Sequence, residues 1–237
     1  FSNKVECTDA DTMGRWYGAA VDLLAEMHGQ MWPVPEGCVA KTRRFDYELL
    51  RWELDHYREW GVEALQGKPL EPDVRNGLDR AFDELAREVA LFTRGFVHRD
   101  YQSRNLMVMD PKPDPSSLVI IDFQDALEGP RVYDLVALLN DSYVDVPARL
   151  QEEMVCRYAA RMSLDSSALL TEFHLVTVQR KLKDGGRFVF IDRVKGNPSF
   201  LQYVDGSFAR VRSALDKLQG HHELKAALAE AHPEPFA

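Results

Sequence analysis

His98, Arg99 and Asp100 stand together, Asn105 follows five residues after Asp100, and Asp122, between Ile121 and Phe123, comes seventeen residues after Asn105. These residue types at this spacing suit phosphoryl transfer. A loop Asp can accept the proton of an attacking hydroxyl, an Asn can bind Mg²⁺, and a second Asp can bind the metal beneath nucleotide phosphates. Mg²⁺ is a hard cation that takes one or two protein oxygens and completes its octahedron with water and phosphates. One carboxylate and one amide carbonyl meet that requirement. Asp100 needs no metal contact, only an ionised state and reach to the acceptor hydroxyl. The expected roles are therefore Asp100 as base, with Asn105 and Asp122 holding Mg²⁺ and, through it, ATP.

The surrounding pattern places these residues. Leu106 to Met109 and Leu118 to Ile121 are short apolar runs, separated by a stretch with Pro111, Pro113 and Pro115 that continues neither helix nor strand. The pattern predicts an antiparallel hairpin. Asn105 enters the first strand and Asp122 leaves the second, so both lie at one end. Around the hairpin the pattern is helical. A helix from Asp9 to Met27 is capped by Asp9 or Asp11. A second runs from Phe45 to Trp60, with a stripe of Leu49, Trp52, Leu54 and Tyr57, a solvated face of Glu53, Asp55 and Glu59, and Gly61 as its stop. A third covers Asn76 to Phe92. Gly129 and Pro130 break the chain before a helix from Tyr133 to Tyr143, whose first turn holds Asp134, expected to brace the catalytic loop. Helices follow over Pro147 to Ala160 and Ser166 to Lys181, the latter stopped by Asp184-Gly185-Gly186. Arg187 to Val194 reads as a mixed run, Tyr203 to Leu218 as the last helix, and Ala231 to Ala237 as a frayed tail. His174 reads as a packed residue.

With 237 residues, 45% of them apolar, the chain can bury a full core. No apolar run approaches a membrane span. Cys7, Cys38 and Cys156 are far apart, which suits a reducing, cytoplasmic compartment and offers no zinc or disulfide framework. A net charge of −9 disfavours nucleic acid as a partner.

From Phe96 to Tyr143 the chain resembles the aminoglycoside phosphotransferase and choline kinase group, small-molecule kinases with the protein-kinase fold. Val97-His98-Arg99-Asp100-Tyr101-Gln102-Ser103-Arg104-Asn105-Leu106-Met107 is similar to that group's catalytic loop, and Ile121-Asp122-Phe123-Gln124-Asp125-Ala126 to its metal-binding segment. Within the group, Asp100 to Asn105, Phe123 to Ala126, Gly129-Pro130 and Tyr133 to Val136 resemble the cell-wall amino-sugar kinases, which phosphorylate the anomeric hydroxyl of N-acetylmuramate and N-acetylglucosamine. Leu49 to Leu54 and Glu59-Trp60 do so more loosely, and the resemblance implies that this region helps cover the acceptor. It also implies an α+β, protein-kinase-like fold: a mainly helical C-terminal lobe with a small catalytic β-hairpin. Gln102 and Gln124 stand where eukaryotic protein kinases have Lys and Gly, which argues against a protein kinase.

Such kinases also need a Gly-rich loop and a strand Lys over the phosphates. The sequence has no Gly-x-Gly-x-x-Gly, and Lys41 and Lys68 sit in polar contexts. The expectation is that residues 1–237 form a C-terminal lobe, that its partner nucleotide-binding lobe lies outside this sequence, and that the fragment alone is inactive. For the acceptor, Asp125, Asp141 and Arg104 are candidates. Each Asp either meets a sugar hydroxyl or is a plain loop or surface acid. Arg104 either braces the loop or touches substrate or phosphate, and Arg99 braces the loop. Arg104 and Arg131 counter the two acids, while Tyr101, Tyr133 and Tyr143 offer flat surfaces. An amino sugar is the expected acceptor, with an aminoglycoside or choline-type kinase, or a non-catalytic binding module, as alternatives.

Overall fold

A computed structural model describes residues 1–6 and 9–236; Cys7 lies outside them. In chain order the elements are α1 (Ser2–Glu6), α2 (Ala10–Gln30), α3 (Tyr47–His56), a π-helical turn (Tyr57–Glu63), α4 (Ala64–Gln66), α5 (Pro72–Ala90), β1 (Arg94–Val97), β2 (Leu106–Val108), β3 (Leu118–Ile120), β4 (Leu127–Pro130), α6 (Val132–Leu139), α7 (Ala148–Met162), α8 (Ser166–Lys195), α9 (Val204–Lys217), α10 (His222–Ala231) and α11 (Pro233–Phe236). They divide into two compact units, residues 1–45 with 92–173 and residues 46–91 with 174–237. The expected mainly helical α+β fold is present. No helix among the described residues is long and apolar enough to cross a membrane.

The first unit holds both sheets. In α2, Asp9 caps the helix by accepting the Thr12 N–H at 2.9 Å, and Trp16, Ala20, Leu24 and His28 are buried at helical spacing. Arg157 of α7 closes two bonds of 2.8 Å on Asp22 of α2. β2 and β3 form the expected hairpin, with Leu106 opposite Ile120 and Met107 opposite Val119. A second antiparallel pair, β1 with β4, sets Val97 opposite Leu127 and Gly95 opposite Gly129. The sequence does not announce this pair, because each strand is four residues long and carries a glycine. Gly129 is required by packing: a Cβ there would lie 2.8 Å from Phe45 Cβ. Helix α6 is buried along its whole length and stops at Leu139, earlier than the pattern suggests.

The second unit corrects several expectations. In α3 the buried residues are Leu50, Glu53, Leu54 and His56, followed by Tyr57 at the start of the π turn, whereas Trp52 is 57% exposed. Glu53 is not solvated; it is 1% exposed and accepts the Gln179 side-chain N–H at 2.7 Å. Gly61 does not stop the helix, which continues through the π turn and α4 to Gly67 at φ 69°. Gly185 and Gly186 do not stop α8 either. A Cβ on Gly186 would lie 2.7 Å from Tyr57 Cα, and one on Gly185 would lie 2.5 Å from the Phe208 ring. The glycines buy close approach of backbones rather than a turn, so Arg187 to Val194 is helix. Within the expected tail, Pro233–Phe236 form α11, with Phe236 buried.

Candidate active site

The site is built at one end of the β2–β3 hairpin, within the first unit. Ile121 donates its backbone N–H to the Asn105 carbonyl at 3.0 Å, which continues the hairpin ladder by one pair. Asn105 and Asp122 therefore flank that end, as their positions in the sequence imply. The Asn105 side-chain N–H₂ donates to the Asp100 carbonyl at 2.9 Å and to Asp122 Oδ2 at 3.3 Å. One amide thus ties the three residues together. Both Asn105 donor contacts come from Nδ2, leaving Oδ1 as its open acceptor. Gln124 Nε2 donates to Asp122 Oδ1 at 2.9 Å. The donor set is one carboxylate and one amide oxygen, hard ligands of the type a Mg²⁺ ion takes. The residues fit such an ion.

The loop leading in is held by buried carboxylates. Asp134 is fully buried and accepts the backbone N–H of His98 at 2.6 Å and of Arg99 at 2.8 Å. His28 Nε2 lies 3.2 Å from the same carboxylate, and His28 Nδ1 lies 2.6 Å from Tyr158 Oη. Burial pushes the Tyr158 hydroxyl well above its ordinary pKa, so it stays protonated. Arg99 adopts φ 77° and Asp122 φ 70°, left-handed conformations uncommon for non-glycine residues. The expected brace role of Asp134 is therefore present, and it has a specific target, the strained turn at Arg99.

Asp141 does a similar task four residues further along the loop, at Ser103. It is 1% exposed, accepting the Ser103 N–H at 2.9 Å and the Tyr143 N–H at 3.0 Å. The sequence offered Asp141 as a sugar contact or a plain loop or surface acid; it is not a surface acid, being buried and bonded to the backbone. Asp125 is exposed and lies 3.3 Å from the Arg43 guanidinium, which also donates to the Gln124 carbonyl at 3.2 Å. Arg104 is exposed and places its guanidinium 3.5 Å from the Tyr143 ring centre. Tyr101 and Tyr133 are fully buried and offer no flat surface to a ligand. His98 is buried and meets Tyr101 edge-on at 6.1 Å.

Sequence reading missed the His28–Tyr158 chain, the Gln124 contact and the Arg43 contact. Arg43 and His28 lie far from the motif in sequence and carry no local signal. Gln124 was visible as a departure from protein kinases but not as a partner of Asp122.

Among curated proteins, the chain is 33% identical over 178 residues to the N-acetylmuramate/N-acetylglucosamine kinase of Pseudomonas aeruginosa, covering 72% of this chain and 51% of that protein. It is 29% identical over 233 residues to the protein of the same name from Pseudomonas putida, covering 95% of this chain and 66% of that one. The chain thus spans about half to two thirds of the length of these relatives. Among solved structures, a choline/ethanolamine kinase family protein from Mesorhizobium loti superimposes with a TM-score of 0.59 at 19% identity, covering 96% of this chain and 68% of that one, a likeness of fold. The model of the phosphotransferase enzyme family matches residues 6–166, a stretch that runs through both sheets and every residue of the hairpin-end cluster, and to that family this chain belongs.

Proposed function

We propose that this chain supplies the catalytic and acceptor-binding part of an ATP-dependent kinase that phosphorylates a hydroxyl of an amino sugar. The observation that carries the reading is the Asn105 side chain, bonded at once to Asp122 and to the Asp100 backbone. Asp100 accepts the proton of the acceptor hydroxyl as its oxygen forms the new bond to the γ-phosphorus and the bond to the departing ADP breaks. Asn105 Oδ1 and the Asp122 carboxylate would hold Mg²⁺, with Gln124 fixing the Asp122 rotamer. When bound, the metal offsets charge on the phosphates. Asp134 and Asp141 hold the loop so that Asp100 is placed before substrate arrives.

Two further observations support parts of this reading. A polycationic aminoglycoside or a choline calls for several available carboxylates or an aromatic cage. Asp125 is paired with Arg43 and Asp141 is turned to the backbone, which favours a sugar over a polycation. The relatives' own names point the same way. Second, Met107, Met109, Val119, Ile121 and Phe123, along the β2–β3 hairpin and around its Asp122 end, are each at least 40% exposed. Such an apolar strip suits cover by a nucleotide base and a further lobe carrying the phosphate-binding loop and Lys. Residues 1–237 alone would then bind Mg-ATP weakly and turn nothing over.

The test is Asp100→Asn in the complete protein, assayed by coupled ATP consumption with N-acetylmuramate, N-acetylglucosamine, kanamycin and choline. The wild type should use the two sugars in preference. The variant should keep nucleotide binding and lose roughly 10²- to 10⁴-fold in turnover. Near-normal turnover by the variant would remove Asp100 from the mechanism, and strong use of kanamycin with neither sugar would overturn the acceptor.

A further inference from the structure

Residues 31–45 lie against the chain that carries Asp122, within the first unit. Val34 and Ala40 are buried with Phe96 of β1 and with Ala126, four residues after Asp122, and Met27, Met31 and Cys38 pack on the same cluster. Arg44 pairs with Glu128 of β4 in a parallel bridge. Phe45 donates its N–H to the Glu128 carbonyl at 2.8 Å, and Glu128 donates its own to the Arg43 carbonyl at 3.0 Å. This stretch therefore runs as a short parallel edge beside β4.

From that edge the Arg43 guanidinium reaches the residues after Asp122. Its Nη1 donates to the Gln124 carbonyl at 3.2 Å and to Asp125 Oδ1 at 3.3 Å. Gln124 in turn donates its side-chain N–H to Asp122 Oδ1 at 2.9 Å. Two bonds thus connect Arg43 with Asp122, one into the Gln124 backbone and one out of its side chain. Asp122 needs such support. It holds φ 70°, a left-handed conformation that costs about 1–3 kcal/mol and persists only where its surroundings over-determine it. Asp122 to Asp125 are exposed and lie outside strand and helix, so packing fixes them little. One backbone bond closes the turn, from the Ala126 N–H to the Phe123 carbonyl at 3.1 Å. The Arg43–Asp125 pair is half exposed on both sides, and such pairs are worth about 0–1 kcal/mol. The bond to the Gln124 carbonyl adds to it and acts on the backbone directly.

We infer that Arg43 is a positioning residue for the metal-binding segment. With Asp125 it latches the turn after Asp122 to residues 31–45, so that the Asp122 carboxylate is placed before metal and nucleotide arrive. Asp125 then belongs to the latch and not to the acceptor. The inference rests on the phosphoryl-transfer reading above, in which Asp122 would hold Mg²⁺.

The test uses Arg43→Met, Arg43→Lys and Asp125→Asn in the complete protein. Hydrogen exchange of the amides from Gln124 to Leu127 is followed without metal. Binding of Mn²⁺, an ion of the same preference for oxygen ligands, is followed by electron paramagnetic resonance at saturating ADP. Steady-state kinetics give the acceptor KM. Arg43→Met should speed exchange in the turn and weaken Mn²⁺ by roughly 2- to 10-fold, the worth of one net hydrogen bond, with the acceptor KM unchanged. Arg43→Lys keeps the charge and the donors and should recover part of both effects. Asp125→Asn should act in the same direction, and combined with Arg43→Met it should add nothing further. Wild-type exchange and Mn²⁺ affinity in Arg43→Met would overturn the latch and leave the kinase reading standing. Faster exchange with unchanged Mn²⁺ affinity would make Arg43 a plain strut and overturn the positioning role. A raised acceptor KM in Asp125→Asn with unchanged Mn²⁺ affinity would overturn the place of Asp125 in the latch. A wild type that binds no Mn²⁺ with ADP would overturn the kinase reading and the positioning role with it.

Discussion

The Asp134 carboxylate accepts the Arg99 N–H at 2.8 Å while Arg99 holds φ 77°, so a fully buried acid clamps a strained turn one residue before Asp100. A left-handed non-glycine residue costs about 1–3 kcal/mol and persists only where its surroundings over-determine it. Asp134 does so with two backbone bonds and a third contact from His28.

Asp134→Ala should therefore destabilise the protein by about 3–5 kcal/mol, the cost of breaking a buried charged network. Asp134→Asn, which keeps one acceptor oxygen, should cost about 1.5–3 kcal/mol. Under conditions where Asp134→Asn is still folded, its kcat should fall more than its nucleotide affinity, because the loop carrying Asp100 is displaced while Asp122 is not. Chemical denaturation and steady-state kinetics read the two effects. A wild-type denaturation midpoint in Asp134→Ala would show that the clamp is dispensable.

On the proposed function, Asp122 and its hydrogen-bond partner Gln124 should behave as a graded series. Asp122→Ala should abolish Mg²⁺-dependent nucleotide binding in the complete protein. Gln124→Ala removes only the donor that holds Asp122 Oδ1 at 2.9 Å and should weaken metal affinity by about 10- to 100-fold, as loss of an outer contact does. Titration of Mg²⁺ at fixed nucleotide separates them. Equal effects of the two substitutions would mean that Gln124 is itself a ligand.

The parts of this fold that sequence made legible are those set by local chemistry. Three prolines between two apolar runs specify the β2–β3 hairpin, and its ends bring Asn105 and Asp122 together without any tertiary information. Asp134 was readable as a brace because it opens a helix. The parts that were not legible depend on distant partners. Asp141 binds the Ser103 N–H across 38 positions, and nothing near Asp141 in the sequence distinguishes that from a solvated acid. Trp52 fits an apolar stripe by type, yet the burial of Glu53 against Gln179 turns the helix so that Trp52 faces outward. Gly185 and Gly186 read as a stop signal because glycine is a poor helix former; only the nearness of Tyr57 and Phe208 shows why they stay within α8.

That nearness gives a paired prediction. At Gly186 an added Cβ meets backbone 2.7 Å away at Tyr57 Cα, which cannot yield as a side chain can. Gly186→Ala should destabilise by about 1–3 kcal/mol through overpacking. Gly77, inside α5, has nothing within 4 Å of an added Cβ, so Gly77→Ala should stabilise by about 1 kcal/mol through helix propensity. Thermal unfolding of the two variants tests the contrast. A neutral or stabilising Gly186→Ala would mean that the two helices separate at little cost.

The last prediction concerns acid. His232 is buried, and burial lowers its pKa to about 4; its Nδ1 lies 3.0 Å from the Tyr57 hydroxyl. Burial also pushes Tyr57 well above its ordinary pKa, so the hydroxyl keeps its proton and donates to a neutral imidazole. In the unfolded chain the same ring titrates near pH ~6.5. Between those two values the unfolded state binds more protons than the folded state, so stability falls as pH falls. The contribution is fully present above about pH 6.5, declines through the window and is lost below about pH 4. Protonation would also put a donor on Nδ1 opposite the Tyr57 donor. His232→Gln has no such titration. Thermal unfolding followed from pH 7 to pH 4 should show a steeper loss in the wild type than in His232→Gln, whatever their difference at pH 7. Parallel curves across that window would show that His232 is not the group that couples this part of the fold to acid.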